Sequence, residues 1–494
     1  MQTGFNNTIY IQKQTEQIKK RIGQFGNKLY LEFGGKLFDD HHAARVLPGF
    51  DLNGKIRLLQ EFKDMAEIIL CINAKDIEKN KVRADIGITY DRECCRLIDK
   101  LRERGLTINS VVITQYEGQA SADLFRKKLE MRDVKTYLHY PIAGYPANIE
   151  LIVSDEGYGK NDYVVTERPL VVITAPGPCS GKLATCLSQL YHEYKRGVNA
   201  GYAKFETFPI WNIPLKHPVN LAYEAATADL KDINMIDPYH LEAYGVTTVN
   251  YNRDIEAFPV VRTILNKIMD GKDIYKSPTD MGVNMAGYAI ENDAVVRSAA
   301  NQEIIRRYYK CCCDWKLGLG DQETAERTEL IMNQLDLKAE DRPVIAAALK
   351  KAEDTGFSSI AMELPDGFVV TGKTSTLMTA ASSLVINSLK HLAEFSDDLL
   401  LLSPVVIEPI ISLKRSLTHS QNPILSLEEI LIALSVCAAT SPFAQKALSY
   451  LDALKGCEAH SSSMLTSAEE QFVRNLGINL TCEPEFPGDE LYFG

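Results

Sequence analysis

Between the apolar run Leu170-Val-Val-Ile173 and the segment that begins at Leu183, the chain reads Thr-Ala-Pro-Gly-Pro-Cys-Ser-Gly-Lys182. A buried strand, a Pro/Gly turn and a helix opening on Gly181-Lys182 aim backbone N–H groups and an ammonium at one point, the arrangement that holds phosphate. Gly177, Ser180, Gly181, Lys182 and Thr185 are therefore the candidate contacts to ATP, another nucleotide or another phosphorylated small molecule. The match to the phosphate-loop pattern G-x-x-x-x-G-K-[ST] is partial. Pro176 occupies the first glycine position, and Gly177 comes one place later. Leu183 follows the lysine where a magnesium-holding hydroxyl belongs, and Thr185 is the nearest hydroxyl.

A second stretch, Gly367-Phe-Val-Val-Thr-Gly-Lys-Thr374, fits the pattern letter for letter. Its context is wrong. Pro365-Asp366-Gly367 is a hairpin signal and Phe-Val-Val favours a strand, so a phosphate cradle is rejected there. Residues 371–375 are expected at the start of a helix over 373–395, open to an anion or simply capped. Phe33-Gly34-Gly35 resembles the opening of amino-acid kinases, but Glu32 stands where those enzymes carry a lysine, and a carboxylate repels phosphate. A tight strand-to-loop turn is the better reading.

Acid–base chemistry points to the polar segments between 200 and 290 and to His139. His217, His240, Asp237 and Lys276 form the candidate catalytic set, since histidine titrates near neutrality and carboxylates move protons or hold metal. Asp229, Asp232, Asp237 and Asp280 suit magnesium, which takes carboxylates together with substrate phosphate. Lys204, Lys216, Lys276 and Arg253 can neutralise phosphate. No metal-ligand set is assigned, and the absence of any Cys-x-x-Cys pair argues against structural zinc. Gly456-Cys-Glu-Ala-His460, with Ser461 and Ser462, offers a nucleophile beside a base, and Cys482-Glu483 could meet it in space. A polar loop with a buried cysteine competes with that reading.

The elements that position these residues follow from periodicity. Strands are expected at 28–35, 66–73, 110–114, 134–139 and 169–174, alternating with helices at 10–25, 55–66, 91–104 and 120–131. That alternation predicts a doubly wound, mostly parallel, Rossmann-like α/β sheet. Ligands of such sheets sit beyond the carboxyl ends of the strands, which puts Gly34-Gly35, Asn73, Thr114-Gln115, His139-Tyr140 and the 175–182 turn on one rim. Residues 1–325 are read as this domain, with a loop-rich substrate section at 200–320. Charged helices at 321–337 and 341–355 look like a connector. Residues 326–494 form a smaller α/β domain with a hairpin, long helices and a strand-helix-strand ending.

With 494 residues, two or three domains are expected. Hydrophobic content of 45% provides for a core, and a net charge of -11 argues against a dedicated nucleic-acid binder. No apolar stretch reaches membrane-helix length, and the N-terminus shows no secretory pattern. Eleven cysteines, an odd number, read as free thiols in a reducing cytoplasm. Large cytosolic enzymes are commonly symmetric, so a homo-oligomer is expected.

Residues 173–187, Leu215–Thr227, Asn234–His240, Lys276–Gly287, Gly456–His460 and Gly477–Pro484 together resemble the bacterial family labelled domain of unknown function 1846, or UPF0371. The likeness runs over nearly the whole chain. It implies a bacterial cytosolic protein and supplies no reaction, so the chemistry rests on the residues. They point first to phosphoryl transfer or ATP-dependent ligation, with magnesium joining through an aspartate. The alternatives are an ATP-independent hydrolase or lyase using histidine and cysteine, and a metabolite sensor without turnover.

Overall fold

The computed structural model describes residues 3–38, 40–83, 87–418 and 423–488. Among them the chain forms two compact units. One holds the residues up to 224 together with 231–300; the other holds 225–230 and those from 301 onward. The division falls within helix Asp293–Lys316, and residue 325 lies inside the next helix, Gln322–Gln334, in the second unit.

The first unit is built on seven strands: β1 Leu29–Phe33, β2 Ala66–Asn73, β3 Ile108–Thr114, β4 Lys135–Leu138, β5 Leu170–Thr174, β6 Gly201–Phe205 and β7 Gly282–Val283. They lie in the order β7-β6-β1-β5-β2-β3-β4, and every neighbouring pair is parallel. All five residues of β5, Leu-Val-Val-Ile-Thr, are buried. A strand covered by helices on both faces needs this unbroken run of apolar, β-branched residues. Helices Asn7–Gln24, Tyr90–Glu103, Ala120–Glu130 and Lys182–Lys195 stand where the periodicity puts them. The doubly wound, Rossmann-like expectation for this domain holds.

The strand order reverses at β2 and β5. From β2 the chain moves outward to β3 and β4, whereas from β5 it crosses β1 to reach β6 and β7. Adjacent strands whose connections leave in opposite directions open a crevice at their carboxyl ends.

Residues 200–320 are less loop-rich than the sequence suggests. Helices Pro218–Ala226, Pro238–Tyr244, Asn252–Ile268 and Asp293–Lys316 run through them. Their polar residues serve as caps, which mimics loop composition: Asp237 caps one helix, Pro238 starts it, and Gly245 ends it in the left-handed region.

The second unit carries a mixed sheet of β8 Ser359–Glu363, β9 Val369–Lys373, β10 Glu458–Ser461 and β11 Asn479–Cys482, in the order β9-β8-β10-β11. Strands β8 and β9 form the expected hairpin, and β10 and β11 are parallel, as a strand-helix-strand ending requires. The helix expected over 373–395 is shorter. Strand β9 continues through Lys373, and the helix runs Ala380–Leu392 with Thr379 as its cap. Residues 371–373 therefore sit in sheet rather than at a helix start. Gly372 is required there because a Cβ would fall 2.2 Å from the backbone nitrogen of Leu384.

Candidate functional site

A cavity of about 560 Å³ opens at the carboxyl ends of the first unit's strands. Glu32 of β1, Asn73 of β2, Thr114-Gln115 after β3 and His139-Tyr140 after β4 line it together with residues 179–184. Much of the strand-end rim expected from the sequence thus lines one cavity, but Gly34, Gly35 and the first half of the turn, residues 175–178 with Gly177, are not among its lining residues.

The turn is held in place from below. Thr114 Oγ1 donates to Ser180 O at 2.9 Å, and Ser180 Oγ donates to Gly177 O at 3.0 Å. Gly181 has φ +85, and a Cβ on it would press on the Thr114 side chain at 2.9 Å, so only glycine fits. Gly181 is also the cap of the 14-residue helix Lys182–Lys195, and among the described residues no side chain caps that helix's first N–H groups. Gly181, Lys182, Leu183 and Ala184, the residues of the cap and first turn, all line the cavity. Lys182 makes no hydrogen bond or ion pair among the described residues. Free N–H groups, the positive end of a helix dipole and an unpaired ammonium converge on one space.

Thr185 lies one turn further and is fully buried. Its hydroxyl accepts from the Cys71 thiol at 3.4 Å, and it does not line the cavity. A magnesium ion at this turn would find Glu32, partly buried and accepting from the Tyr202 hydroxyl at 2.7 Å, rather than Thr185.

His139 lines the cavity as a buried, neutral ring. Its Nε2 donates to Asp162 O at 3.2 Å, which fixes the tautomer and leaves Nδ1 as an acceptor. Burial pulls its pKa down to about 4, against the opposing backbone hydrogen bond. The candidate catalytic residues lie elsewhere. His217 donates from Nε2 to Asp293 at 2.8 Å and accepts at Nδ1 from the Val219 N–H at 3.2 Å. Burial lowers its pKa against the pull of Asp293. Asp237 is buried and spends its carboxylate on the His240 N–H at 3.0 Å and the Thr279 hydroxyl at 2.6 Å. His240 Nδ1 meets Ser277 Oγ at 2.9 Å, and Lys276 pairs with Asp273 at 2.7 Å. The structure brings Asp237, His240 and Lys276 around residues 276–280, keeps His217 with Asp293, and sets none of the four on the cavity wall.

Lys204 pairs with Glu206 at 2.8 Å and with Asp254, and also bonds Tyr251. Burial lifts the Glu206 carboxyl to about 7 although Lys204 pulls it down. Arg253 is occupied by Asp232. Among the described residues no three His, Cys, Asp or Glu side chains are grouped as metal ligands.

In the second unit, His460 and Cys457 do not face each other. Cys457 donates to Ala453 O, and burial pushes its thiol up to about 11. His460 bonds Thr481 at 2.8 Å and Glu483 at 3.1 Å. Glu483 does reach His460, as the strand-end position of Cys482-Glu483 suggests, but Cys457 lies just before strand β10 and turns its thiol back to Ala453.

Tyr145, Tyr158 and Asn161 line the cavity without having been singled out from sequence. Their segment has no helical or strand period. The one signal is a density of tyrosines, at 137, 140, 145, 158 and 163.

Strand-end cavity, uncapped helix start and reversing strand order define a Rossmann-like α/β protein with a second, smaller α/β unit. The chain belongs to the DUF1846 family: the model described as Domain of unknown function DUF1846, N-terminal, matches residues 3–336, and its C-terminal counterpart matches residues 340–492. It is 55% identical over 505 residues to a UPF0371 protein of Fusobacterium nucleatum, with all of both chains covered. UPF0371 proteins of Clostridium tetani and Clostridioides difficile are each 54% identical over 501 residues, again over the whole of both chains. Among the described residues no helix is long and apolar enough to cross a membrane.

Proposed function

We propose that the strand-end cavity binds a phosphorylated small molecule, with the phosphate seated on the N–H groups of residues 182–184 and neutralised by Lys182. The observation that carries this reading is the uncapped start of helix Lys182–Lys195, which opens into a cavity where the strand order reverses. Phosphoryl transfer is the reaction class that draws most on such a site, because its catalysis consists largely of positioning and of fixed donors aimed at developing charge. In that role Lys182 and the backbone donors hold the transferred group's oxygens, and a magnesium ion would take Glu32. Support for the histidine–cysteine hydrolase reading is weak, since Cys457 and His460 bond separate partners.

Thermal unfolding against a panel of nucleotides and sugar phosphates tests the reading. A ligand present at 100 times its dissociation constant adds about 2.7 kcal/mol to wild-type stability. A Lys182→Ala protein should lose about half of that gain or more. If it keeps the full shift, phosphate does not sit at this turn. Ligand-induced stabilisation without turnover would instead favour the metabolite-sensor alternative.

A further inference from the structure

The second unit leaves a broad apolar face open to solvent. Helix Pro404–Thr418 carries Val405, Pro409, Leu413 and Leu417 at four-residue intervals, one stripe along the helix, and all four are exposed. Val405 is 81%, Leu413 60% and Leu417 71% exposed. The inner side of the helix is accounted for, since Ile407 is buried in the core of this unit. Helix Leu427–Ala438 runs antiparallel beside it. At one end the Ser403 N–H donates to Cys437 Sγ at 3.3 Å; at the other Lys414 Nζ donates to Glu429 at 2.6 Å and to Ile424 O at 2.7 Å. Leu417 lies one turn from Lys414, and the exposed Ile432 and Val436 lie one and two turns from Glu429. The Lys414–Glu429 ion pair therefore joins the two strips into one face.

Val405, Leu413, Leu417, Ile424, Ile432 and Val436 together expose on the order of 600 Å², the top of the range that a monomer leaves in one patch. The exposed Glu408, Ser412, Arg415 and Ser416 beside them bring the face to roughly the 800 Å² that each partner of a standard interface buries. Its charges complement themselves. Glu408 and Arg415 stand two helical turns apart on one flank of the stripe, and neither has an ion partner among the described residues. Two copies of this helix packed antiparallel about a two-fold axis near Ser412 set Glu408 of each opposite Arg415 of the other. We infer that this face binds a second copy of the chain in a two-fold dimer, with helices Pro404–Thr418 and Leu427–Ala438 at its centre and Glu408–Arg415 ion pairs at its rim. The apolar stripe supplies most of the affinity, and the rim pairs set the register.

Sedimentation velocity on the full chain tests this. Interfaces of this size bind between micromolar and picomolar, so wild type should sediment as a dimer at about 20 µM. Leu413→Glu and Ile432→Glu should each give monomer at that concentration, with the circular dichroism spectrum of wild type. Leu124→Glu, at a similarly exposed leucine of the first unit, should stay dimeric. Reversing one rim charge, by Glu408→Arg or Arg415→Glu, sets like charges opposite each other and should weaken the dimer about tenfold. The double reversal recreates both ion pairs and should return affinity to within about twofold of wild type. The rim substitutions remove no packing, so they report on the dimer independently of any folding defect from a glutamate in the stripe. A monomeric wild type would overturn the inference and leave the face to a different protein. A dimer indifferent to both stripe substitutions, or a double reversal no tighter than the single ones, would also overturn it.

Discussion

Residues 175–182 and 367–374 look alike as text and differ as structure. The second stretch matches the phosphate-loop pattern in full, yet its Gly372 and Lys373 belong to strand β9. The first departs from the pattern twice, yet its Gly181 and Lys182 sit at a helix start on a cavity wall. A glycine and a lysine bind phosphate only where the chain around them turns its N–H groups toward open space. In β9 the backbone is extended beside β8, so successive N–H groups point in opposite directions instead of converging, and Gly372 serves the close approach of helix Ala380–Leu392.

The contrast can be broken most forcefully at Gly372. A Gly372→Ala Cβ would meet backbone rather than a movable side chain, so stability should drop by about 3 kcal/mol or more in urea unfolding, with phosphate-ligand affinity measured on the folded protein unchanged. A mild effect would mean that the helix can shift and that the glycine has another purpose. A second effect of comparable size belongs to the other region. His139 is neutral in the folded chain, with a pKa near 4 against about 6.5 when unfolded. The unfolded state therefore takes up its proton first as pH falls. The stability contribution is complete above about pH 6.5 and shrinks as pH drops toward 4, by about 3 kcal/mol in all. A His139→Gln protein should lack that component of the acid limb, and an identical limb would contradict the buried, neutral assignment.

The lysines provide the direct comparison. Lys182→Ala should cost phosphate ligands about 1.5–3 kcal/mol, or roughly 10- to 100-fold in affinity, whereas Lys373→Ala should cost nothing measurable. Equal losses would remove the distinction between the two stretches. The smallest expected change is at Thr185. Its hydroxyl is turned to Cys71, so Thr185→Val should shift stability by about 1 kcal/mol and leave phosphate affinity within twofold. A large loss of affinity with magnesium present would restore Thr185 as a cofactor contact.

Much of this was legible because strand ends are. The apolar runs Ala66–Asn73, Ile108–Thr114 and Leu170–Thr174 announce themselves, and a parallel sheet puts their carboxyl ends on one rim. Asn73, Thr114, His139, Tyr140 and the turn follow from that rule alone. Tyr158 and Asn161 do not. They arrive on a segment without period, and their placement depends on hydrogen bonds from Ser188, Gln189 and His192, which no local pattern encodes. The chosen histidines and Asp237 illustrate the opposite difficulty. Residues suited to moving protons are equally suited to capping helices, and composition does not separate the two uses. Only their partners do: Asp293 for His217, Ser277 for His240, and Thr279 for Asp237.

One feature of the sheet bears on how the chain is made. Strand β1 is the first to be synthesised, yet its neighbours on either side are β5 and β6, Leu170–Thr174 and Gly201–Phe205. During translation β2, β3 and β4 can assemble among themselves, while β1 stays without an edge partner until residue 174 has left the ribosome, and without its second until residue 205 has. Pairings this distant in sequence close slowly and expose strand edges in the meantime. The nascent chain therefore carries an unpaired apolar strand, Leu29-Tyr-Leu-Glu-Phe33, through about the first third of its synthesis. Its first unit is therefore built by a late return: the oldest strand docks on the free edge of β5, and β6 and β7 add to it in turn.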